Sequence, residues 1–522
     1  MEKGMSKKRG LIITLTTLVI FGVGLWTTRP MWHWFFMTMY RNPGILESVI
    51  AAFITGGIVF AISKKHGSWD CLENAGVAFG IMFVIATLII APFQLMYSQC
   101  KLARDLEVSE ISKLPDIDPL AVRIMPMAVS KRYAEDALQY PRYRLGTGDI
   151  TFINKRPCWV YPLVPDGKIN FFILKDKGAV YVDMSTSEKN SIIVEQEMKI
   201  GVGMGITDWY KWQLYKRKYW VDYEDPYFIP TSEKELYIAV PIISYQYHFR
   251  FPTFYTVPRW EGIALINSKG QVEFLTPEQA LRCPVLKGQK LFPERLARYY
   301  IGSFRYINGI INKVFYHKDQ LEIAEYYQSE EQQNRKRQNK QPFLVKTKDG
   351  IKWFIACEPY GKAHGIFRIY LVDGRTGEIQ FYQRPKTEAL IGPVKACDYL
   401  RRANPIIDWN RMIPVEPIPV TIQGGRLYWE VRVVPKDASG VAYTAMVDAQ
   451  SANVVELKKD KSIRQFISGG HKTREVKSKK IPIGTAKEEI TAMVVILQNG
   501  HEVQRIPLFP NQTVEIIPEK QK

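Results

Sequence analysis

The sequence predicts an α+β chain: an N-terminal bundle of three transmembrane helices, then tandem small β-rich modules, then a short C-terminal β piece. Three observations predict it. Three apolar runs precede Lys101. A hairpin pattern of apolar strand, Asp or Asn turn and apolar strand returns along the rest of the chain. An aromatic-led strand closed by proline stands ahead of the turn in most copies.

The membrane region is expected over 1–104. Lys3, Lys7, Lys8 and Arg9 lead into Leu11–Trp26, LIITLTTLVIFGVGLW. A basic start and apolar core also mark signal peptides, but no small-x-small cleavage pattern follows, so a retained helix over 11–26 is expected. Met31–Tyr40, MWHWFFMTMY, suits the water–lipid boundary, where Trp and Tyr collect. Ile45–Ser63 and Ala75–Met96 each approach the roughly 20 residues that span a bilayer. They predict helices over about 45–63 and 75–97. Basic residues before the first helix, and Lys64 and Lys65 after the second, place the N-terminus in the cytoplasm and everything after Gln99 outside it. Leu102–Leu120, with Pro115 and Pro119, is expected to be a linker.

The clearest hairpin is Phe367–Tyr382, FRIYLVDGRTGEIQFY. Apolar and polar residues alternate with the period of a strand on both sides of the turn. Asp373 bonds its own backbone there, and glycine accepts positive φ. Further copies are Tyr443–Leu457 with Asp448 and Ala452, Gly262–Leu275 with Asn267 and Gly270, and Asn170–Asp183 with Asp176 and Gly178. Trp159–Pro165, Trp353–Pro359 and Trp429–Pro435 share one aromatic-to-proline spacing, and Tyr237–Pro241 is a shorter version. Proline cannot donate to a central ladder, so it closes a strand or sits at an edge. The competing reading is a β-rich chain with ordinary Asp-Gly turns. The paired features favour a repeat of about 80–100 residues, longer than solenoid periods. Modules are then expected over 105–200, 201–290, 291–390 and 391–465, with a basic linker and small hairpin over 466–522.

Asp373, Thr376 and Gly377 resemble the closing hairpin of PepSY-type domains, which reads apolar strand, Asp-x-x-Thr-Gly, apolar strand. The likeness covers the hairpins alone, and Asn267 and Ala452 depart from it. The family's preceding helix has a counterpart only before the first copy, at Ala128–Leu138. The resemblance implies an extracytoplasmic, non-catalytic module tied to the control of secreted or membrane enzymes.

The net charge of +19 is spread along the soluble part. A spread charge suits an acidic membrane surface or an anionic envelope polymer, and no nucleic-acid partner is expected. Six cysteines include no CxxC pair, and the seven histidines form no HExxH. GxSxG and SxxK are also absent, so no catalytic residue, metal or cofactor is expected. Gly201, Gly203 and Gly205 form a glycine loop before a helix; its spacing is neither GxGxxG nor a P-loop, and a turn before a capped helix is the plainer reading. Trp209–Trp220, WYKWQLYKRKYW, has the composition of an interfacial helix. Trp209, Trp212, Lys216, Arg217, Lys218 and Trp220 are the candidate binding residues, with core packing under snorkelled lysines as the competing reading. Ser329–Gln341 is expected to be a mobile loop, and Lys461–Lys480 a basic linker. Met493–Ile517 is expected to be the β piece, turning at Asn499-Gly500.

The expected function is membrane-anchored, extracytoplasmic binding or regulation, with membrane lipid and a protein or anionic envelope polymer as partners. The alternative is a structural subunit of a membrane translocation or envelope-assembly complex.

Overall fold

The computed structural model describes residues 16–17, 19–66, 70–231, 235–324, 341–361, 365–385, 388–422, 424–469, 492–498 and 501–508. Residues 19–27 are helical, and three helices follow: α1 (Arg29–Arg41), α2 (Pro43–Lys65) and α3 (Cys71–Asp105). Pro30 and Pro43 open α1 and α2, where a missing N–H costs nothing. α2 and α3 pack along one another. Among the described residues, two helices and not the expected three have the length and apolar composition to cross a membrane. The first expected helix, 11–26, is described at 16–17 and 19–26, where it is helical and exposed; its other residues lie outside the described ones. α1 continues from it and docks on the helix Tyr210–Arg217. Ring stacking explains this: His33 lies 3.6 Å from Tyr215, and its Nε2 meets the carbonyls of Tyr219 and Val221 at 3.0 and 3.1 Å.

The expected linker over Leu102–Leu120 is instead part of the fold. With 35 residues, α3 is about 50 Å long, well beyond a bilayer's apolar thickness of about 30 Å. Its last turns bury Gln94, Ser98, Gln99, Cys100, Leu102 and Ala103. Val108–Glu110 then pairs in parallel with Ile379–Phe381. Leu114 and Ile117 enter the core, which holds the proline-rich stretch down.

Four antiparallel meanders follow, each of four strands in chain order. The first runs through Asp149–Ile153, Arg156–Pro165, Asp176–Asp183 and Ser191–Met198. The second uses Tyr227–Pro230, Leu236–Arg250, Thr253–Asn267 and Val272–Leu275. The third uses Phe343–Thr347, Gly350–Pro359, Arg368–Asp373 and Ile379–Gln383. The fourth uses Met412–Ile422, Arg426–Pro435, Tyr443–Asp448 and Val454–Leu457. A helix stands before every sheet: Met127–Ala137, Tyr210–Arg217, Glu294–Ser303 and Pro393–Ala403.

The sheets also share a register. Trp159 lies opposite Val182, Trp353 opposite Val372 and Trp429 opposite Val447. Each indole donates Nε1–H to a carbonyl just ahead of a helix: Met125 at 3.1 Å, Phe292 at 3.1 Å and Ile391 at 2.8 Å. A buried indole needs such an acceptor, and here it ties the helix entrance to the second strand. In the second sheet Ile238 takes the tryptophan's place, opposite Ile266.

The turns use one device as well. Asp373 Oδ1 accepts from the amides of Arg375 and Thr376 at 2.8 and 2.9 Å, and Asp448 Oδ1 from Gln450 and Ser451 at 2.8 and 3.1 Å. Lys352 pairs with Asp373 at 2.8 Å, and Arg426 with Asp448. Ala452 adopts φ +62° where Gly377 has +81°. The first copy departs from expectation. Asn170–Ile173 is a helical turn, and Gly178 lies inside the strand Asp176–Asp183, at a bulge. The hairpin turn begins at Asp183, whose Oδ1 accepts from the Ser185 amide at 2.7 Å.

The sheets do not hang as separate beads. One apolar cluster joins Leu102 and Ala103 of α3 to Trp159, Ile243, Trp353 and Val434, one from each sheet. Another joins the third and fourth sheets, and a third joins the first and second. The basic linker expected from Lys461 begins as a helix, Asp460–Ile467, because Ile463, Phe466 and Ile467 are buried. Residues 470–480, and 325–340 of the expected loop, lie outside the described residues. The C-terminal unit, taken by itself, is a hairpin of Ala492–Gln498 and His501–Leu508 with Gln498 opposite His501. Its turn residues, 499–500, and 509–517 lie outside the described residues.

Candidate functional site

The first three sheets enclose a cavity of about 380 Å³. Trp159 and Trp353, the equivalent residues of two repeats, line it together with Phe292. Charges of both signs line it too: Arg123, Asp149, Glu224, Lys290, Glu294 and Arg295. Lys290 pairs with Asp149 at 2.5 Å. Glu224 caps the helix Glu294–Ser303, accepting from the amides of Glu294 and Arg295 at 3.0 and 2.9 Å and from Arg295 Nε at 3.2 Å. A carboxylate there meets the positive end of the helix dipole. Glu294 itself faces the cavity and makes no side-chain hydrogen bond or ion pair among the described residues. The residue is exposed to the cavity's solvent, and the protein around it shifts its carboxyl upward, with Lys290 opposing. The site therefore combines two indole faces, two satisfied ion pairs and one carboxyl without an ion-pair partner among the described residues.

Arg123 connects this cavity to a buried ionic network on the fourth sheet. Its guanidinium lies 3.7 Å from Glu416 and over the Trp159 ring at 5.6 Å. Glu416 caps the helix Met127–Ala137 by accepting from the Met127 amide at 2.7 Å. Thus two helices take their N-terminal carboxylate from another sheet's segment. Arg432 and Glu430 complete the network, 3.9 Å apart and fully buried.

A second cavity, of about 550 Å³, lies where α2 and α3 meet the folded region. Ile45, Ala91 and Leu95 supply its apolar side, and Arg41, paired with Asp222 at 3.0 Å, its polar side. Arg295 lines both cavities.

The glycine loop holds a group of this chain's own. The buried Asp176 carboxylate accepts from the amides of Val202 at 2.6 Å and Gly203 at 3.3 Å. A side chain at Gly201 would collide with that carboxylate, and one at Gly203 with Val164. Burial pushes the Asp176 carboxyl up to about 6, against the two amides. Its folded value lies above the unfolded one, so its contribution to stability is full below about pH 4 and is lost as pH rises through about 6. Asp176→Asn keeps an acceptor and removes the charge. We expect wild type to lose about 3 kcal/mol relative to this variant between about pH 4 and pH 8, read from chemical-unfolding midpoints. A pH-independent difference would refute the assignment.

The six candidate binding residues do not form one surface. Trp212 is buried, with Lys216 Nζ 5.1 Å from its ring. Trp209 is half-buried, and Lys218 pairs with Glu261 at 2.8 Å. Lys216, Arg217 and Trp220 remain exposed, with Trp220 against Tyr40 at 4.9 Å. No group of three or more His, Cys, Asp or Glu among the described residues is arranged to hold a metal. The cavity residues escaped sequence reading because they come from distant segments and lack a local motif. Comparison with known protein families, curated proteins and solved structures gives no match.

Proposed function

We propose that this chain is a membrane-anchored, extracytoplasmic binding or regulatory protein whose PepSY-like modules recognise a protein or anionic envelope polymer by strand addition. The observation that carries the reading is internal. Val108–Glu110 adds itself in parallel to the outer edge of the third sheet, on Ile379–Phe381. The matching edges, Ser191–Met198, Val272–Leu275 and Val454–Leu457, have no strand neighbour on their outer side among the described residues. Such edges accept a partner strand through main-chain bonds, with side-chain pockets supplying selectivity. The +19 charge would speed encounter with an acidic partner and make binding weaken with salt. The continuity of α3 into the core favours a second use, as a rigid structural subunit of an envelope-assembly or translocation complex.

The test uses full-length protein in lipid nanodiscs, with a photo-crosslinking residue at Ile192 or Val455. It is presented with solubilised envelope proteins and with an anionic wall polymer at low and high salt. We expect binding that falls severalfold in high salt and crosslinks confined to the edge strands. Hydrolase or transferase turnover without any salt-sensitive partner would replace this reading with an enzymatic one.

A further inference from the structure

The second sheet has strands far longer than the others. Leu236–Arg250 and Thr253–Asn267 are 15 residues each, and their far halves leave the sheet as a two-stranded arm. The arm reaches the helices. Thr256 Oγ1 donates to the Arg41 carbonyl at 2.5 Å, and Ser98 Oγ to the Thr256 carbonyl at 2.6 Å. At the tip, the Phe254 amide donates to Glu47 Oε1 of α2 at 2.7 Å, and Tyr97 Oη of α3 to the Phe251 carbonyl at 3.3 Å. Thr253 is fully buried, and Gly44 of α2 lies against it with Gln94 and Ile90 of α3. The tip is therefore fixed at one level of the helix pair, beside the first turn of α2.

What it presents there is apolar. Phe251 is 83% exposed and Phe249 61%, and Phe254 and Tyr247 are also exposed. Phe249 and Phe254 face each other across the ladder with rings 4.7 Å apart, so they share one face. Tyr247 continues that face to Tyr40 at 5.1 Å, and Tyr40 to Trp220 at 4.9 Å. Leu46, Ile50, Phe93 and Leu95 of the helices are exposed near the same level. Arg250 at the tip lies 4.9 Å from the Tyr97 ring, its charge at the edge of the apolar surface.

An aromatic row standing in water loses its burial energy, whereas in a bilayer's boundary zone rings and a guanidinium are both at home. The exposed surface is continuous with that of the spanning helices, so the same lipid covers both. We infer that the hairpin tip Phe249–Phe254 inserts into the headgroup–acyl boundary of the bilayer as a third membrane element beside α2 and α3. It rests on the membrane-anchored reading above. The arm then sets the tilt and height of the four sheets over the membrane.

The test places a single fluorescent NBD label at Phe251→Cys, in a background with Cys71 and Cys283 replaced by Ser, in liposomes carrying nitroxide lipids of known depth. Val84→Cys in α3 and Ile406→Cys in the fourth sheet's region serve as references; both positions are exposed. We expect blue-shifted emission at 251, quenched severalfold more by a shallow nitroxide than by one at the bilayer centre, with 406 unquenched. Water-like, unquenched emission at 251 with quenching retained at 84 overturns the insertion and leaves the anchored reading standing. Loss of quenching at 84 as well overturns both.

Discussion

Arg432→Leu is expected to destabilise the folded region by about 3–5 kcal/mol, the cost of leaving a buried ionic group without its partner. Arg432 is fully buried in the fourth sheet. Its guanidinium donates to the carbonyls of Ile124 at 3.3 Å, Glu416 at 2.6 Å and Glu430 at 3.2 Å, and to that of Arg123. It therefore stitches the segment entering the first module's helix to the fourth sheet. Glu430 is the group left behind. Both its oxygens are buried without a hydrogen-bond partner, and Arg432 is 3.9 Å away. Burial pushes its carboxyl up to about 7 even with that cation present. The folded value exceeds the unfolded one, so this group's contribution to stability is present below about pH 4.5 and lost as pH rises through about 7. Arg432→Leu should consequently be least harmful in acid, where Glu430 is neutral. Adding Glu430→Leu should recover part of the loss at neutral pH, because removing both charges avoids the orphaned one. Chemical-unfolding midpoints of the three proteins across pH measure this. Equal loss in single and double variants would mean that the carbonyl contacts, and not the charge, carry the energy.

Much of the repeat was legible because its signals are local. An Asp that closes a turn, and a tryptophan six residues before a proline, are visible in any window that contains them. Trp353 and Trp429 and the turns at Asp373 and Asp448 fall in place for that reason. The first turn was misplaced because NFFIL reads as a strand, while Asp176 is drawn inward by the amides of Val202 and Gly203. The helix before the fourth sheet was obscure because Pro393–Ala403 is short and polar on one face. Pro393 at its start was an available signal. The cavity and its network had no local signal. Glu416 caps a helix 289 residues earlier in the chain, and Glu224 one 70 residues later. Pairings of that span are set by how sheets pack, which no motif encodes.

Trp429→Ala is expected to cost a further about 3–5 kcal/mol, as a large aromatic removed from a closed core. The side chain is fully buried, its ring edge-on to Phe343 and Phe354 of the third sheet, each at 6.3 Å. Its indole holds the Ile391 carbonyl at 2.8 Å. Trp429→Phe should lose less, about 1–3 kcal/mol, chiefly from the carbonyl left unpaired. The position of the damage is more telling than its size. If the repeats folded as independent modules, truncation would expose only the fourth sheet. Because Trp429 packs into residues of the third, amide protection should fall together in Arg368–Asp373 and Tyr443–Asp448, measured by hydrogen exchange on the full-length protein. Protection lost in Tyr443–Asp448 alone would show that the two sheets touch without sharing their stability. A shared loss would mean that a ligand ordering the edge strand Val454–Leu457 also stiffens Phe343–Thr347, whose Phe343 and Leu344 line the cavity of about 380 Å³ together with Pro342.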